Sequence, residues 1–442
     1  ADARSVYEEG LLVPHCRLID AGRPNETLLA MIEANVRDPL QVRGDIFSLV
    51  AANEAGAKRL AEMMAEYGLA SLDALAEHIL TQSRAGMRAA IAALPHGTYR
   101  ATMRLDGYEQ AVDLNVAMTI DDSGMLIDYA GTSAASRYGI NSPKCYTDAY
   151  TVFGIKCIIA PDVPNNAGSL EVIRVSATEG SIVHPPRPAP VTARHVIGQM
   201  LPELVFGCLE QPLNARVPAE GAGSIWVMAM ASGHETPEMP ESMRNRATRF
   251  TTMSVGMGGV GARPGKDGLS CVAFPSGVGA IPVEVTEAAS PLLFKRREIR
   301  PDSGGAGEYR GGLAPIIEIE NQEGVPFTIS AATFDRQRNA ARGRMGGDDG
   351  ALGTMRIAEG PSLIGKAVYT VPAGERLILE LPGGGGFGNP LKRDPALVAA
   401  EVADGLLSAG AARDRYGVVV DGAGEVDFAA TTIERQARGP DR

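Results

Sequence analysis

Three segments of this chain hold more glycine than any turn requires: Gly256-Met257-Gly258-Gly259-Val260-Gly261, the stretch Pro301 to Gly312, and Gly383-Gly384-Gly385-Gly386-Phe387-Gly388. Glycine loses more conformational freedom on folding than any other residue, so such runs persist only where an absent side chain is needed. Two needs qualify. Either backbones approach one another more closely than a Cβ permits, or successive N–H groups form an anion-binding nest. For the second and third segments close packing is the favoured alternative. The first matches the spacing of a dinucleotide fingerprint, but Ala262-Arg263-Pro264-Gly265 follows and cannot open the required helix. Gly265-Lys266-Asp267 resembles the end of a phosphate loop, yet Asp267 stands where a Ser or Thr would hold Mg²⁺. No ATP site is expected in this chain.

The 442 residues exceed what one hydrophobic core usually supports, which implies two or more lobes. No apolar run is long enough to span a bilayer. A formal charge of -11 would repel a phosphate backbone, so no nucleic-acid partner is expected, and no membrane. Cys16, Cys145, Cys157, Cys208 and Cys271 are odd in number and widely spaced, which fits a reducing cytoplasm better than a disulfide framework. Ala1 to Ser5 lack an initiator Met and any signal pattern, and the expectation is the C-terminal part of a longer protein.

Periodicity predicts a helix after the N-cap Asn25, stopped by Asp38-Pro39, a second from Asp45 to Tyr67, and a third from Ser71 toward Ile91. Val112, Leu114, Val116, Met118 and Ile120 alternate as a half-buried strand, and Met125 to Tyr129 returns antiparallel to it. Tyr146 to Cys157 and Val191 to Cys208 read as helices. From Ser224 to about Glu380 short β-like runs alternate with glycine clusters. The tail is read as a helix opening at Asp394-Pro395, a strand from Tyr416 to Val420, and frayed polar residues beyond Asp427. The fold class expected is α+β and multi-lobed: a helical N-terminal segment, then β-rich antiparallel and mixed sheets, then a short C-terminal helix. The expected divisions are 1–97, 98–223, 224–390 and 391–442.

The chain has no His-Glu-x-x-His, no nucleophile elbow and no Ser-x-x-Lys, which removes the commonest metalloprotease, α/β-hydrolase and β-lactamase chemistries. None of His15, His78, His96, His184, His195 and His234 pairs at metal-ligand spacing. Arg194-His195 is different, because Arg can hold an oxyanion while His passes a proton; the bland alternative is a salt-bridged helix start. Asp128 sits where a strand emerges into a loop, and is either an acid/base group or a loop cap. Cys145, without an adjacent base, is more simply a small buried residue than a nucleophile.

An ordered set of motifs completes the picture. Tyr7-Glu8-Glu9-Gly10-Leu11, Asn35-Val36-Arg37, Gly44-Asp45 with Ala51-Ala52-Asn53, Asp128 to Ser133 with Ile140-Asn141, and Pro164 to Gly168 come first. Arg194-His195, Gly258 to Gly268, Pro282-Val283-Glu284, Arg300 to Gly312, Leu381 to Pro390 and Tyr416-Gly417-Val418 follow. Together these resemble the hydantoinase B family, which includes the B component of N-methylhydantoinase, the C-terminal half of ATP-dependent 5-oxoprolinase, and related subunits of acetone and acetophenone carboxylases.

The resemblance implies a B-type subunit of an ATP-dependent hydrolase of cyclic amides such as hydantoins or 5-oxoproline-like lactams. It would act on a substrate phosphorylated by an A-type ATPase partner in a hetero-oligomer. The second possibility is a ketone carboxylase subunit of the acetone or acetophenone type, and the third is a non-catalytic scaffold. ATP would be bound by the partner. A divalent metal (Mn, Zn or Mg) is implied, with ligands in a region preceding the Tyr-x-Glu-Gly segment; in this chain that segment begins at Tyr7, so the ligands are expected outside it. Asp128, Asn141, Arg194 and His195 are the candidate catalytic residues. Glu9, Asp302 and Arg310 are candidates for binding substrate, with Asp302 and Arg310 expected to pair beside the site. The run Phe274 to Ala280 departs from the polar Asn/Thr-rich segment of relatives, which argues against carrying over a particular substrate.

Overall fold

The computed structural model describes residues 2–36, 38–232, 249–358, 360–422 and 424–439; His234 and Arg37 lie outside them. Helix α1 (Glu26–Ala34) is capped by Asn25, whose side chain accepts from Leu28 N at 3.1 Å. Helix α2 (Pro39–Glu66) starts earlier than its apolar period suggests. Asp38-Pro39 ends one helix and opens the next: the Asp38 carboxylate accepts from Gln41 N at 3.0 Å, and proline in a first turn loses no hydrogen bond because that N–H has no intrahelical partner. Helix α3 (Asp73–Ala92) turns Ser83, Met87 and Ile91 inward.

The first sheet runs β1 (Gly97–Leu105), β2 (Val112–Asp121), β3 (Gly124–Asp128) and β4 (Ile173–Ser176) in that spatial order, with β3 and β4 parallel. The alternating residues of β2 face a core shared with α4 (Lys144–Ile159) and α5 (Leu201–Leu213). These two helices meet at Gly154, where a Cβ would fall 2.6 Å from Pro202 Cα. The single helix expected over 191–208 is instead a short turn, His195–Gly198, followed by α5. Pro202 falls in the first turn of α5, where its missing N–H costs no helical hydrogen bond, so the sequence favours a new start there.

Two further four-stranded sheets share one core. One is ordered β11-β9-β5-β6, from Val368–Val371, Phe327–Ser330, Ile225–Ser232 and Phe250–Met257. The other is ordered β10-β12-β8-β7, from Thr354–Ile357, Arg376–Glu380, Pro315–Asn321 and Leu292–Ile299. Trp226 lies between them, stacked on Phe334 at 4.2 Å. The C-terminal region differs from the sequence-based expectation. Tyr416 ends a helix (Ala409–Tyr416), Gly417 turns left-handed at φ 63°, and only a Val420–Val426 bridge stands in place of the strand. The residues beyond Asp427 are not frayed. They form a helix, Phe428–Arg438, capped by Asp427 and tied down where Arg435 donates to the carbonyls of Tyr416 (3.1 Å) and Arg393 (2.7 Å).

The glycine segments meet at the centre of the molecule. Gly384 N donates to Gly312 O (3.0 Å), Gly312 N to Val260 O (2.8 Å), Gly305 N to Gly384 O (2.8 Å), Gly385 N to Glu220 O (2.7 Å) and Gly386 N to Asp348 O (2.9 Å). A Cβ at Gly259, Gly311, Gly312, Gly384 or Gly386 would lie inside 3.0 Å of a neighbouring segment's backbone. None of the five has a positive φ, so what they supply is space and not left-handed geometry. Their N–H groups are committed to carbonyls. The anion nest is therefore absent here, and close packing accounts for the clusters.

Buried charges border this junction. Glu220 accepts from Arg342 Nε (2.7 Å) and N (3.1 Å), and Arg336 Nη2 stands 3.5 Å from Glu220 and 3.6 Å from Glu203. Burial pushes the Glu203 carboxyl up to about 8, Arg336 offsetting only part of this. On the far side Arg393 binds Asp267 through two contacts (2.7 and 2.8 Å) and reaches Glu401 at 3.0 Å. Arg310 also goes to Glu401, at 2.7 Å. The expected Asp302–Arg310 pair is not formed, because the Asp302 carboxylate turns to Ser408 N at 2.8 Å.

Gly384→Ala should lose at least about 3 kcal/mol in urea denaturation, since the surrounding backbone cannot yield. Gly44→Ala, on an open face of α2, should instead gain about 0.5–1 kcal/mol. Glu203 holds its proton in the folded state to about pH 8 but releases it near 4.3 when unfolded, so it makes stability fall as pH rises across that window. Glu203→Gln should flatten this slope; an unchanged pH profile would assign Glu203 an ordinary carboxylate.

Candidate functional site

Four of the seven candidate residues converge. Asn141 is fully buried, and its amide donates to the carbonyls of Ser136 (2.9 Å), Tyr138 (3.0 Å) and Pro190 (2.9 Å), while its oxygen accepts from Ser136 N at 2.8 Å. It clips the 136–142 loop to the 185–195 segment. The Glu9 carboxylate accepts from Val191 N (2.5 Å) and Thr192 N (2.6 Å), fixing the same segment from the other side. Arg194 and His195 follow directly. Beside them lies a groove of about 400 Å³ lined by Glu9, Leu11, Leu12, Pro143, Arg187 and Val191.

Arg194 is exposed and has its guanidinium 5.4 Å from the centre of the Tyr146 ring, a cation–π contact in place of the alternative salt bridge. Gly198 makes room for that ring, because a Cβ there would lie inside 3.0 Å of it. Tyr146 stacks on Tyr150 at 4.4 Å, one helical turn along α4. The Tyr150 hydroxyl shares a hydrogen bond with Ser276 Oγ (2.9 Å), which also accepts from Gln199 Nε2 (2.7 Å). His195 Nε2 and Gln199 Oε1 are buried with no hydrogen-bond partner in the protein. Burial, and then the charge of Arg194, pull the His195 imidazole down to about 4, so it is neutral at pH 7. The arrangement offers a cation on an aromatic platform, a neutral imidazole able to accept a proton, and an amide oxygen able to accept an N–H.

Tyr146, Tyr150, Gln199 and Ser276 are the residues that sequence reasoning missed. Their signals were the i, i+4 spacings of Tyr146 with Tyr150 and of His195 with Gln199. Ser276 carried none. It lies in the same run whose Phe274 packs between Phe153 and Phe206.

The other three candidates lie elsewhere. Asp128 ends β3, and its side chain accepts from Ala130 N at 3.1 Å, the loop-capping alternative. Asp302 and Arg310 belong to the C-terminal contacts described above. Cys145 is exposed, so the buried reading of it was wrong. Among the described residues no group of three or more His, Cys, Asp or Glu could hold a metal ion, so the described residues offer no donor set that fits the implied divalent metal. No described helix is long and apolar enough to cross a membrane.

The fold is shared with two solved structures. The crystal structure of ATP-dependent caprolactamase from Pseudomonas jessenii superposes with a TM-score of 0.86 at 25% identity, covering 98% of this chain and 76% of that one. The nucleotide-free structure of acetone carboxylase shares the fold with a TM-score of 0.76 at 20% identity, covering 99% of this chain and 65% of that one. In sequence, caprolactamase subunit beta of Pseudomonas jessenii is 29% identical over 463 residues, 99% of this chain and 76% of that protein. The family model described as Hydantoinase B/oxoprolinase matches residues 1–390, and the chain belongs to that family.

By NMR titration the His195 ring should show a midpoint near 4, and one at 6.5 or above would contradict its burial. Gly198→Ala should displace Tyr146 and release Arg194 from its platform, read as a change in tyrosine fluorescence with the fold retained.

Proposed function

We propose that this chain is a B-type subunit of an ATP-dependent cyclic-amide hydrolase, acting on a hydantoin- or lactam-like substrate that an A-type ATPase partner phosphorylates. The observation that carries this reading is the family match across residues 1–390. The caprolactamase likeness supports the lactam class. An unactivated amide is a poor electrophile, and phosphorylation of its oxygen creates a leaving group. The N–H groups of Gly259, Gly312, Gly384 and Gly386 bind carbonyls and so are not free to cradle a phosphate, in keeping with ATP bound by the partner. The five free cysteines support a cytoplasmic setting.

In this reading Arg194 holds the anionic part of the activated substrate, and its place over Tyr146 limits the positions the guanidinium can take. His195, neutral at pH 7, accepts at Nε2 a proton from the water that adds to the activated carbon as the phosphate leaves, while Gln199 Oε1, which has no partner in the protein, accepts an N–H of the substrate ring. Glu9 and Asn141 touch no reacting atom in this scheme; they hold the 190–192 backbone from which Arg194 and His195 project. Asp128, Asp302 and Arg310 take no part in it. A divalent metal, where the complex uses one, would draw its ligands from outside the residues described, and no step is assigned to it.

Ketone carboxylation is the second reading, favoured by the shared fold of acetone carboxylase. Purified A and B components together should consume ATP only when a hydantoin or lactam is present; ring opening by this chain alone, without ATP, would overturn the proposal. Labelled bicarbonate entering a ketone product would select the second reading. Arg194→Ala should cut turnover about 10- to 100-fold, the worth of one charge-assisted contact, with the melting temperature unchanged because the side chain is exposed.

A further inference from the structure

A second groove of about 400 Å³ lies between β1, α5 and the 342–345 turn, away from the Glu9–His195 groove. Three arginines, Arg100, Arg342 and Arg344, are among its lining residues. Arg342 is already engaged, with Glu220 and with the Thr102 carbonyl at 2.8 Å. Arg344 is not fully satisfied. Its side chain is 7% exposed and pairs through Nη1 with Glu210, yet its Nε is buried and has no acceptor. A buried charged donor without an acceptor is costly enough to call for an explanation.

Arg100 is exposed, and its side chain has no hydrogen-bond or ion-pair partner among the described residues. The Arg344 guanidinium lies against α5: a Cβ built at Gly207 would sit 3.9 Å from Arg344 Nη2, and 2.9 Å from the Ala101 Cβ beside Arg100. The nearby carboxylates are Glu210, Glu220 and Asp349, and each already accepts from the protein.

We propose that this groove binds a phosphate-class oxyanion, with Arg100 and the free edge of the Arg344 guanidinium as its donors. Guanidinium forks match tetrahedral oxyanions, and two of them from separate elements would close on one phosphoryl group. The inference is independent of the reaction proposed above, because it uses none of those residues.

Calorimetric titration of the full chain with inorganic phosphate, at ionic strength held constant with chloride, tests it. Saturable one-to-one binding is expected. Arg100→Ala should weaken it about tenfold with unchanged circular dichroism, the loss of one charge-assisted contact. Glu210→Gln, which frees Arg344, should tighten it, a direction that structural damage would not produce. Glycerol phosphate binding more tightly than inorganic phosphate would identify a phosphorylated small molecule as the ligand, and the reverse order would identify free phosphate. Absence of saturable heat at millimolar phosphate would overturn the proposal. So would Arg100→Ala binding like the parent chain, Glu210→Gln weakening the interaction, or acetate binding as tightly as phosphate.

Discussion

Backbone approaching backbone at glycine is the contact on which this structure depends. Five segments, from 220–223, 258–269, 303–313, 341–350 and 382–388, are joined there by N–H to carbonyl hydrogen bonds at a separation that no side chain permits. The logic resembles the axis of collagen, where only glycine fits between close chains. Each part of the molecule is anchored to this centre. The β1–β4 sheet joins through Arg342, which bridges Glu220 to the Thr102 carbonyl. The paired sheets join where β6 runs into Gly258 and β12 into Gly383. The C-terminal helices join through Ala306, which packs with Val398, Ala412 and Tyr416.

A junction of bare backbone has little apolar surface of its own, so its borders carry buried charge. Such pairs add little net stability, because desolvation offsets most of the Coulomb attraction, yet removing one partner is severe. They suit a junction that must form in one register only. Arg336 shows the balance: a single buried guanidinium faces two carboxylates, and the conflict is relieved by one of them, Glu203, keeping its proton. Asp335 and Lys366, both 1% exposed, and Asp106 just beyond β1 repeat the arrangement where the first sheet meets the 335–339 loop.

The parts of this fold that could be read from sequence are those with a local cause. The β2 alternation, the Asn25 cap and the buried α4 were legible because period and capping act within a few residues. Asp38-Pro39 was misread because the same dipeptide can end or begin a helix; here α1 has already ended at Ala34, and the Asp38 side chain caps α2. The helix after Asp427 looked too polar to be ordered. It is held by Arg435 reaching back to carbonyls of two earlier segments, a contact no window of sequence contains. Asp302 and Arg310, eight residues apart in a glycine run, suggested a local pair, whereas each binds an element about 90 or more residues away.

The candidate site was legible in its charged residues and illegible in what orients them. Arg194 and His195 stand out in a proline-rich stretch. Asn141 was recognised only through a motif, and its four hydrogen bonds clip the 136–142 loop to the Pro190 carbonyl. Glu9 is similar: both N–H groups it accepts belong to residues 191 and 192, so its carboxylate is occupied before any ligand arrives. Asn141, named as catalytic, and Glu9, named for substrate binding, are both engaged with backbone, and the polar groups left without a hydrogen-bond partner beside them are His195 Nε2 and Gln199 Oε1, next to the exposed Arg194 guanidinium. That set can bind an anion, take a proton and receive an N–H, but it cannot by itself make an amide electrophilic. In the proposed reading activation comes from ATP chemistry in a partner, and the neutral histidine of this chain serves the step that follows.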